Sequence, residues 1–182
     1  MLPNDSNIYV KQMYWLPEDL LEQRVEEDKI PYDIWLELGL LRTTPGNKVH
    51  YKYVTEWFLE LRNELDIYIP WIGYDSWSAE YWVEDMKNNF GPQSMEAVIQ
   101  GKRTLSGPMK ALGADLEAKK IIYDDNKILK WCLSNTSIDI DKNDNIQPSK
   151  GKNQRRRIDG VAGLLNAYVT LERHYEEYQN II

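Results

Sequence analysis

One cysteine, Cys132, and two histidines, His50 and His174, supply all the thiolate and imidazole ligands in 182 residues. A lone thiol excludes an intramolecular disulfide, and no Cys/His spacing suits a zinc site. Any metal would therefore be a hard cation held by oxygen. Long apolar runs are missing as well: none approaches the roughly 20 residues that span a bilayer. The amino terminus, Met1-Leu-Pro-Asn-Asp-Ser, lacks the charged and then apolar regions of a secretory signal, so a reducing cytoplasm is expected. No Gly-x-x-x-x-Gly-Lys-Ser/Thr occurs, which excludes a nucleotide-binding P-loop. Positive charge is in deficit: 22 Lys and Arg against 29 Asp and Glu leave a formal charge of −7, which disfavours indiscriminate nucleic-acid binding. A local basic patch can still act within a Debye length of roughly 10 Å. Internal repeats and low-complexity linkers are absent.

What is present points to one well-packed domain over residues 1–182. The chain is 42% hydrophobic and 12% aromatic, with seven Trp and twelve Tyr, enough for a sizeable core and contrary to disorder. The central stretch is Ile67 to Trp77, an apolar run that stops on Asp75 and reads as a buried strand. Before it, Ile8 to Trp15 reads as a strand, Pro17 to about Glu27 as a helix, and Ile30 to Leu38 as a short helix stopped by Gly39. Thr43-Thr44-Pro45-Gly46 reads as a turn, and Val54, Trp57, Phe58, Leu61 and Leu65 mark a helix beginning at His50.

After it, helical spacing runs from Ser78 to Asn89, followed by a short strand at Ala97–Ile99. The next helix is expected to be capped by Ser106 with Pro108 in its first turn. Ile121 to Tyr123 predicts a strand, and Asn126 to Leu133 a helix. Thr136 to Asp141 with Ile146 to Ser149 predicts a hairpin. A final long helix carries Ile158, Val161, Ala162, Leu165 and Val169. Alternating strands and helices imply an α/β fold with a mixed sheet flanked by helices.

Two acids stand out. Asp75 closes the central strand, where ligand-handling side chains of open α/β sheets gather. Asp159 opens the last helix. Each has a plainer reading: Asp75 as a turn or cap residue, Asp159 as a first-turn carboxylate favoured by the helix dipole by roughly 0.3–1 kcal/mol. The cations Lys150, Lys152, Arg155, Arg156 and Arg157 immediately precede Asp159, and such a run is often a solvated loop. Together, however, acids beside cations suit phosphodiester hydrolysis. Carboxylates would hold two metal ions about 3.5–4 Å apart, while Lys and Arg hold the phosphate backbone.

Other patterns fail. Asp141, Asn143 and Asn145 begin like a calcium loop, but Ile146 stands where glycine is needed and Lys152 where the bidentate Glu belongs, so a hairpin turn is expected. Cys132 reads as a small core residue, and Trp35, Trp57, Trp82 and Trp131 as core.

Several stretches, in order, resemble the carboxyl-terminal nuclease part of the tailed-bacteriophage terminase large subunit. They are Tyr-Trp-Leu-Pro at 14 to 17, Pro-Tyr-Asp-Ile-Trp at 31 to 35, Gly-Leu-Leu-Arg-Thr-Thr-Pro-Gly at 39 to 46, and Ile-Gly-Tyr-Asp-Ser-Trp at 72 to 77. Gln-Gly-Lys-Arg-Thr-Leu-Ser-Gly-Pro-Met-Lys at 100 to 110, Leu-Lys-Trp-Cys-Leu-Ser-Asn at 129 to 135, and Arg-Ile-Asp-Gly at 157 to 160 continue the series.

The resemblance implies a ribonuclease H-like fold whose acids bind Mg²⁺ or Mn²⁺ and cut double-stranded DNA within a packaging motor in the bacterial host cytoplasm. It implies Asp75 and Asp159 as catalytic and metal-binding residues, with Lys150 and Asn135 near the site. It further implies the terminase small subunit, the portal and an upstream ATPase segment as partners, and no membrane. Such subunits begin with an ATPase and a first strand bearing another catalytic acid, neither of which precedes Ile8. A truncated domain lacking the first strands is therefore expected. It would be either an endonuclease or a catalytically silent prophage remnant that binds DNA or partner subunits without cutting.

Overall fold

The computed structural model describes residues 5–76 and 80–181. In chain order the elements are β1 (Ile8–Tyr9), β2 (Trp15–Pro17), a 3-10 turn (Glu18–Leu20), α1 (Leu21–Asp28), α2 (Tyr32–Glu37), β3 (Arg42–Thr44) and α3 (Tyr51–Asn63). There follow β4 (Ile72–Asp75), α4 (Glu80–Phe90), β5 (Met95–Val98), α5 (Lys102–Glu117), β6 (Ile121–Ile122) and α6 (Lys127–Asn135). The chain ends with β7 (Ser137–Ile140), β8 (Ile146–Ser149), α7 (Asp159–Arg173) and α8 (Tyr175–Ile181). Two compact units result: residues 1–10 with 70–182, and residues 11–69 between them in sequence.

In the smaller unit β2 and β3 pair in parallel, and Trp15 meets Trp57 of α3 edge to face at 5.8 Å. Arg42 of β3 grips Glu60 of α3 through two bonds of 2.8 and 2.7 Å. That fork matches guanidinium to carboxylate and fixes the strand against the helix. Tyr32, Trp35, Leu41, Trp57 and Leu61 are buried. Gly39, at φ 69°, turns the chain after α2 in the left-handed region that glycine tolerates best.

The larger unit is an α/β arrangement with both strand directions. β1 pairs with β6 and β4 with β5, both in parallel, and β7 with β8 in an antiparallel hairpin. Its core joins Val98 of β5, Leu105 and Leu112 of α5, Leu129 of α6, and Leu164, Leu165 and Val169 of α7. α6 begins where Asn126 accepts the N–H groups of Ile128 and Leu129, satisfying donors that a helix start leaves unpaired.

Three local expectations are corrected. Ile8 to Trp15 is not one strand: only its two ends enter ladders, with different partners. Thr43-Thr44 is not a turn but lies in β3, and the turn falls at Gly46, φ 84°. Ser106 does not cap α5, which starts after Gly101. It is buried inside the helix and its Oγ accepts the N–H of Ile146, while Pro108 sits in the helix interior. A hydroxyl that reaches a distant strand cannot be told from a cap by local sequence. Of the central run, Ile72 to Asp75 forms the ladder, and Trp77 lies outside the described residues, as do Ser78 and Ala79 of the following helix.

Candidate metal and nucleic-acid site

The β4–α7 packing sets the geometry. Gly73 has no side chain because none would fit: a Cβ there would stand 2.1 Å from Thr170 Oγ1 and 2.7 Å from the Asn166 carbonyl oxygen. Gly73 thus faces α7, and Asp75, two residues on along a period-two strand, faces the same way. The two elements run in opposite directions. Trp71, before β4, stacks on His174 at the carboxyl end of α7, at 3.7 Å and 11°, whereas Gly73 lies against Asn166 and Thr170. Asp75 therefore lies nearer the amino-terminal end of α7 than Gly73 does, and Asp159 stands in the first turn at that end.

Asp159 and Asn166 are seven residues apart, which puts them on one stripe of the helix. The carboxylates of Asp75 and Asp159 both belong to exposed residues.

The same end of β5 adds amides. Asp75 is in register with Val98, and Gln100 follows two residues later. Gln100 Nε2 donates to the Val98 carbonyl at 2.9 Å and to Asn166 Oδ1 at 3.0 Å. Asn166 is 8% exposed. Neither amide was singled out from the sequence. The available signal was a polar residue, Asn166, among the apolar positions of the last helix.

The cationic segment is a tied loop rather than a loose run. Gly151, at φ 61°, donates its N–H to Ser149 Oγ at 3.0 Å, and Asn153 Oδ1 accepts the Arg155 N–H at 3.1 Å. Asn135, at the end of α6, donates to the Arg157 carbonyl at 3.1 Å, and Arg156 reaches Ser137 Oγ at 3.3 Å. Lys152 and Arg155 are exposed, while Lys150, Arg156 and Arg157 are half-buried. The loop leads straight into Asp159, so its cations and that acid occupy neighbouring positions.

Cys132 is buried, as expected of a core residue. Burial pushes its thiol up, a hydrogen bond from the Gly160 backbone pulls the other way, and the Asp159 charge adds to the rise. In the hairpin turn Asp141 Oδ1 accepts the N–H groups of Asn143 at 2.8 Å and Asn145 at 3.0 Å. Bonds from the Asn145 side chain and from both backbones hold its carboxyl below the usual range, so the turn reading of this motif is the right one. Asp139 pairs with Lys102 at 2.9 Å.

Residues 1–175 match the family described as the terminase large subunit, endonuclease domain. The chain belongs to this family. The terminase large subunit of Enterobacteria phage HK97 is 26% identical over 151 residues, covering 83% of this chain and 29% of the relative. Protein YmfN of Escherichia coli (strain K12) is 26% identical over 186 residues, covering 93% and 39% respectively. A crystal structure of the HK97 bacteriophage large terminase matches with a TM-score of 0.75 at 26% identity, over 85% of this chain and 32% of that one. The chain thus spans between 29% and 39% of these relatives' lengths.

The fold of this terminase nuclease-family chain is the ribonuclease H-like α/β fold expected from its sequence. Among the described residues no helix is long and apolar enough to cross a membrane, and no group of three or more His, Cys, Asp or Glu is placed to hold a metal ion. The residues present still fit a hard cation. Mg²⁺ takes one or two carboxylates and keeps several waters, which two exposed carboxylates, one ending β4 and one opening α7, allow. The imidazole of His174 lies at the opposite end of α7, and the thiol is buried.

Proposed function

We propose that this chain is the metal-dependent endonuclease part of a phage DNA-packaging terminase, cutting double-stranded DNA in the bacterial host cytoplasm. One observation carries the reading: in a chain of this family, Asp75 and Asp159 lie on facing sides of the β4–α7 packing, at the same end of it.

In this reading Asp75 and Asp159 hold Mg²⁺ or Mn²⁺, two ions in the full two-metal scheme. When bound, the cation supplies Lewis acidity toward a phosphodiester oxygen and positive charge against the leaving group. The chain's own residues do the rest. Lys152 and Arg155 meet the DNA backbone from solvent. Lys150, Arg156 and Arg157 set the loop's charge, and Asn135 fixes its course by holding the Arg157 carbonyl. Phosphate contacts of this kind position the duplex without reading its sequence. The terminase small subunit, the portal and an upstream ATPase segment are the partners this reading implies.

The test is nicking of supercoiled plasmid by the purified chain in Mn²⁺. Nicking is expected to stop with EDTA and to fall to background in Asp75→Asn and in Asp159→Asn, with unchanged thermal melting. Cleavage that survives either substitution would remove that acid from the site. If the wild-type chain leaves the plasmid intact in Mn²⁺, both alone and with the upstream segment added in trans, the endonuclease reading fails.

A further inference from the structure

The orientation of Gln100 can be read from its partners. A backbone carbonyl only accepts, so the group facing the Val98 oxygen at 2.9 Å must be the amide NH₂. The same nitrogen lies 3.0 Å from the Asn166 side chain, which must then present its oxygen. Both Gln100 protons are thereby committed within the protein. Its remaining polar atom, Oε1, makes neither of these bonds and carries two lone pairs. Val98 is fully buried against α7, and Asp75 sits beside it in the β4–β5 register. Gln100, two residues past Val98 and tied to Asn166 on α7, thus holds a neutral oxygen, uncommitted to these bonds, just beyond the strand end that carries Asp75. Asn166 is itself held in α7, its carbonyl accepting the Thr170 hydroxyl at 2.9 Å.

From this geometry we infer that Gln100 Oε1 is a neutral oxygen ligand of the divalent cation held by Asp75, with Asn166 as the residue that positions it. The inference rests on the endonuclease reading of the site. An amide oxygen suits a hard cation, and it adds a donor without adding the charge repulsion of a further carboxylate. Tethering both NH₂ protons fixes the donor's direction before the metal arrives, the role outer-shell partners play for metal ligands generally.

Mn²⁺ affinity of the intact chain, measured by calorimetry and by the loss of the free Mn²⁺ paramagnetic resonance signal, tests this without reference to cleavage. Gln100→Met keeps the length and removes the oxygen; affinity is expected to fall about tenfold, at the lower end of the range for lost metal-site partners. Gln100→Glu restores an oxygen but has no NH₂ group, and it should recover affinity to at least the wild-type level. Asn166→Ala should weaken Mn²⁺ binding by a smaller factor than Gln100→Met.

Several results would each overturn the assignment. Wild-type affinity in Gln100→Met would show that the oxygen does not reach the metal. Equal weakening in the Met and Glu variants would make Gln100 a structural tie, since both lack its donors. Wild-type affinity in Asp75→Asn would remove the metal from Asp75 and end the parent reading with it. Loss of affinity in Asp75→Asn but not in Gln100→Met would end this inference alone. Thermal melting of each variant checks the fold, and if Gln100→Met does not fold, the Glu variant decides: affinity below wild type rejects the ligand.

Discussion

Glycine at position 73 is what lets α7 lie flat on β4. One of the atoms a Cβ would meet is backbone, the Asn166 carbonyl, so the clash cannot be relieved by a rotamer change. Gly73→Ala is therefore expected to destabilise the protein by about 1–3 kcal/mol, the usual cost of overpacking, and to lower its melting temperature. An unchanged melting curve would show that α7 can move aside freely. A second prediction concerns His174. Its Nε2 lies 2.8 Å from Glu96 and its Nδ1 3.1 Å from Glu177, while Arg173 also meets Glu96, at 2.6 Å. Burial pulls the imidazole down, but hydrogen bonds to Glu177 and Glu96 and the charges of both outweigh it, and its pKa is raised above the ordinary 6.5. A raised folded-state pKa means a stabilisation fully present below about pH 6.5 and lost as pH climbs through the higher folded value. Denaturant midpoints measured from pH 6 to 9 should therefore fall with rising pH, and His174→Asn should flatten that slope. An unaltered slope in the variant would assign the pH dependence elsewhere.

Among the elements, the loop between β8 and α7 carries the clearest functional expectation. If exposed Lys152 and Arg155 each neutralise one phosphate, replacing both by Ala should reduce the slope of log K against log salt by about 2 and weaken binding to all sequences alike. An unchanged slope would leave the loop as solvated charge. This loop also shows how far sequence reaches. Its charges were plain in the residues, but its anchoring by Asn135 and Ser137 depends on where α6 and β7 end, which no local pattern reveals. The helices from His50, Asn126 and Asp159 were legible because their apolar faces repeat at 3.6 residues, and the one from Asn126 also because its start carries a cap. The hairpin was legible through Asp141 and its turn. Ser106 and the Ile8 to Trp15 run were misread for a common reason: a hydroxyl or a β-prone stretch declares a preference, while its partner lies far away in sequence. Likewise Asp75 and Asp159 could be picked out singly, but only the close approach at Gly73 gives them a common face. Gln100 and Asn166 needed the fold to be seen together at all.

At the scale of the whole molecule, stability should be uneven. Leu165 and Val169 are 1% and 2% exposed at the centre of the larger unit's core, whereas α1 buries no residue. Amide hydrogen exchange should find the Leu164 to Thr170 segment among the slowest in the chain and α1 exchanging much faster. Comparable protection in both would contradict a core centred on α7. The pairing of β1 with β6 has a further consequence, felt during synthesis. β1 is complete at Tyr9, yet its partner begins only at Ile121. At translation speeds of roughly 5–20 residues per second the nascent strand waits for about 6 to 22 seconds. Residues 11–69, which form a compact unit of their own, emerge whole during that interval and can fold first. A waiting strand exposes unpaired backbone to neighbouring chains, and the brevity of this one, just Ile8 and Tyr9, keeps that invitation small.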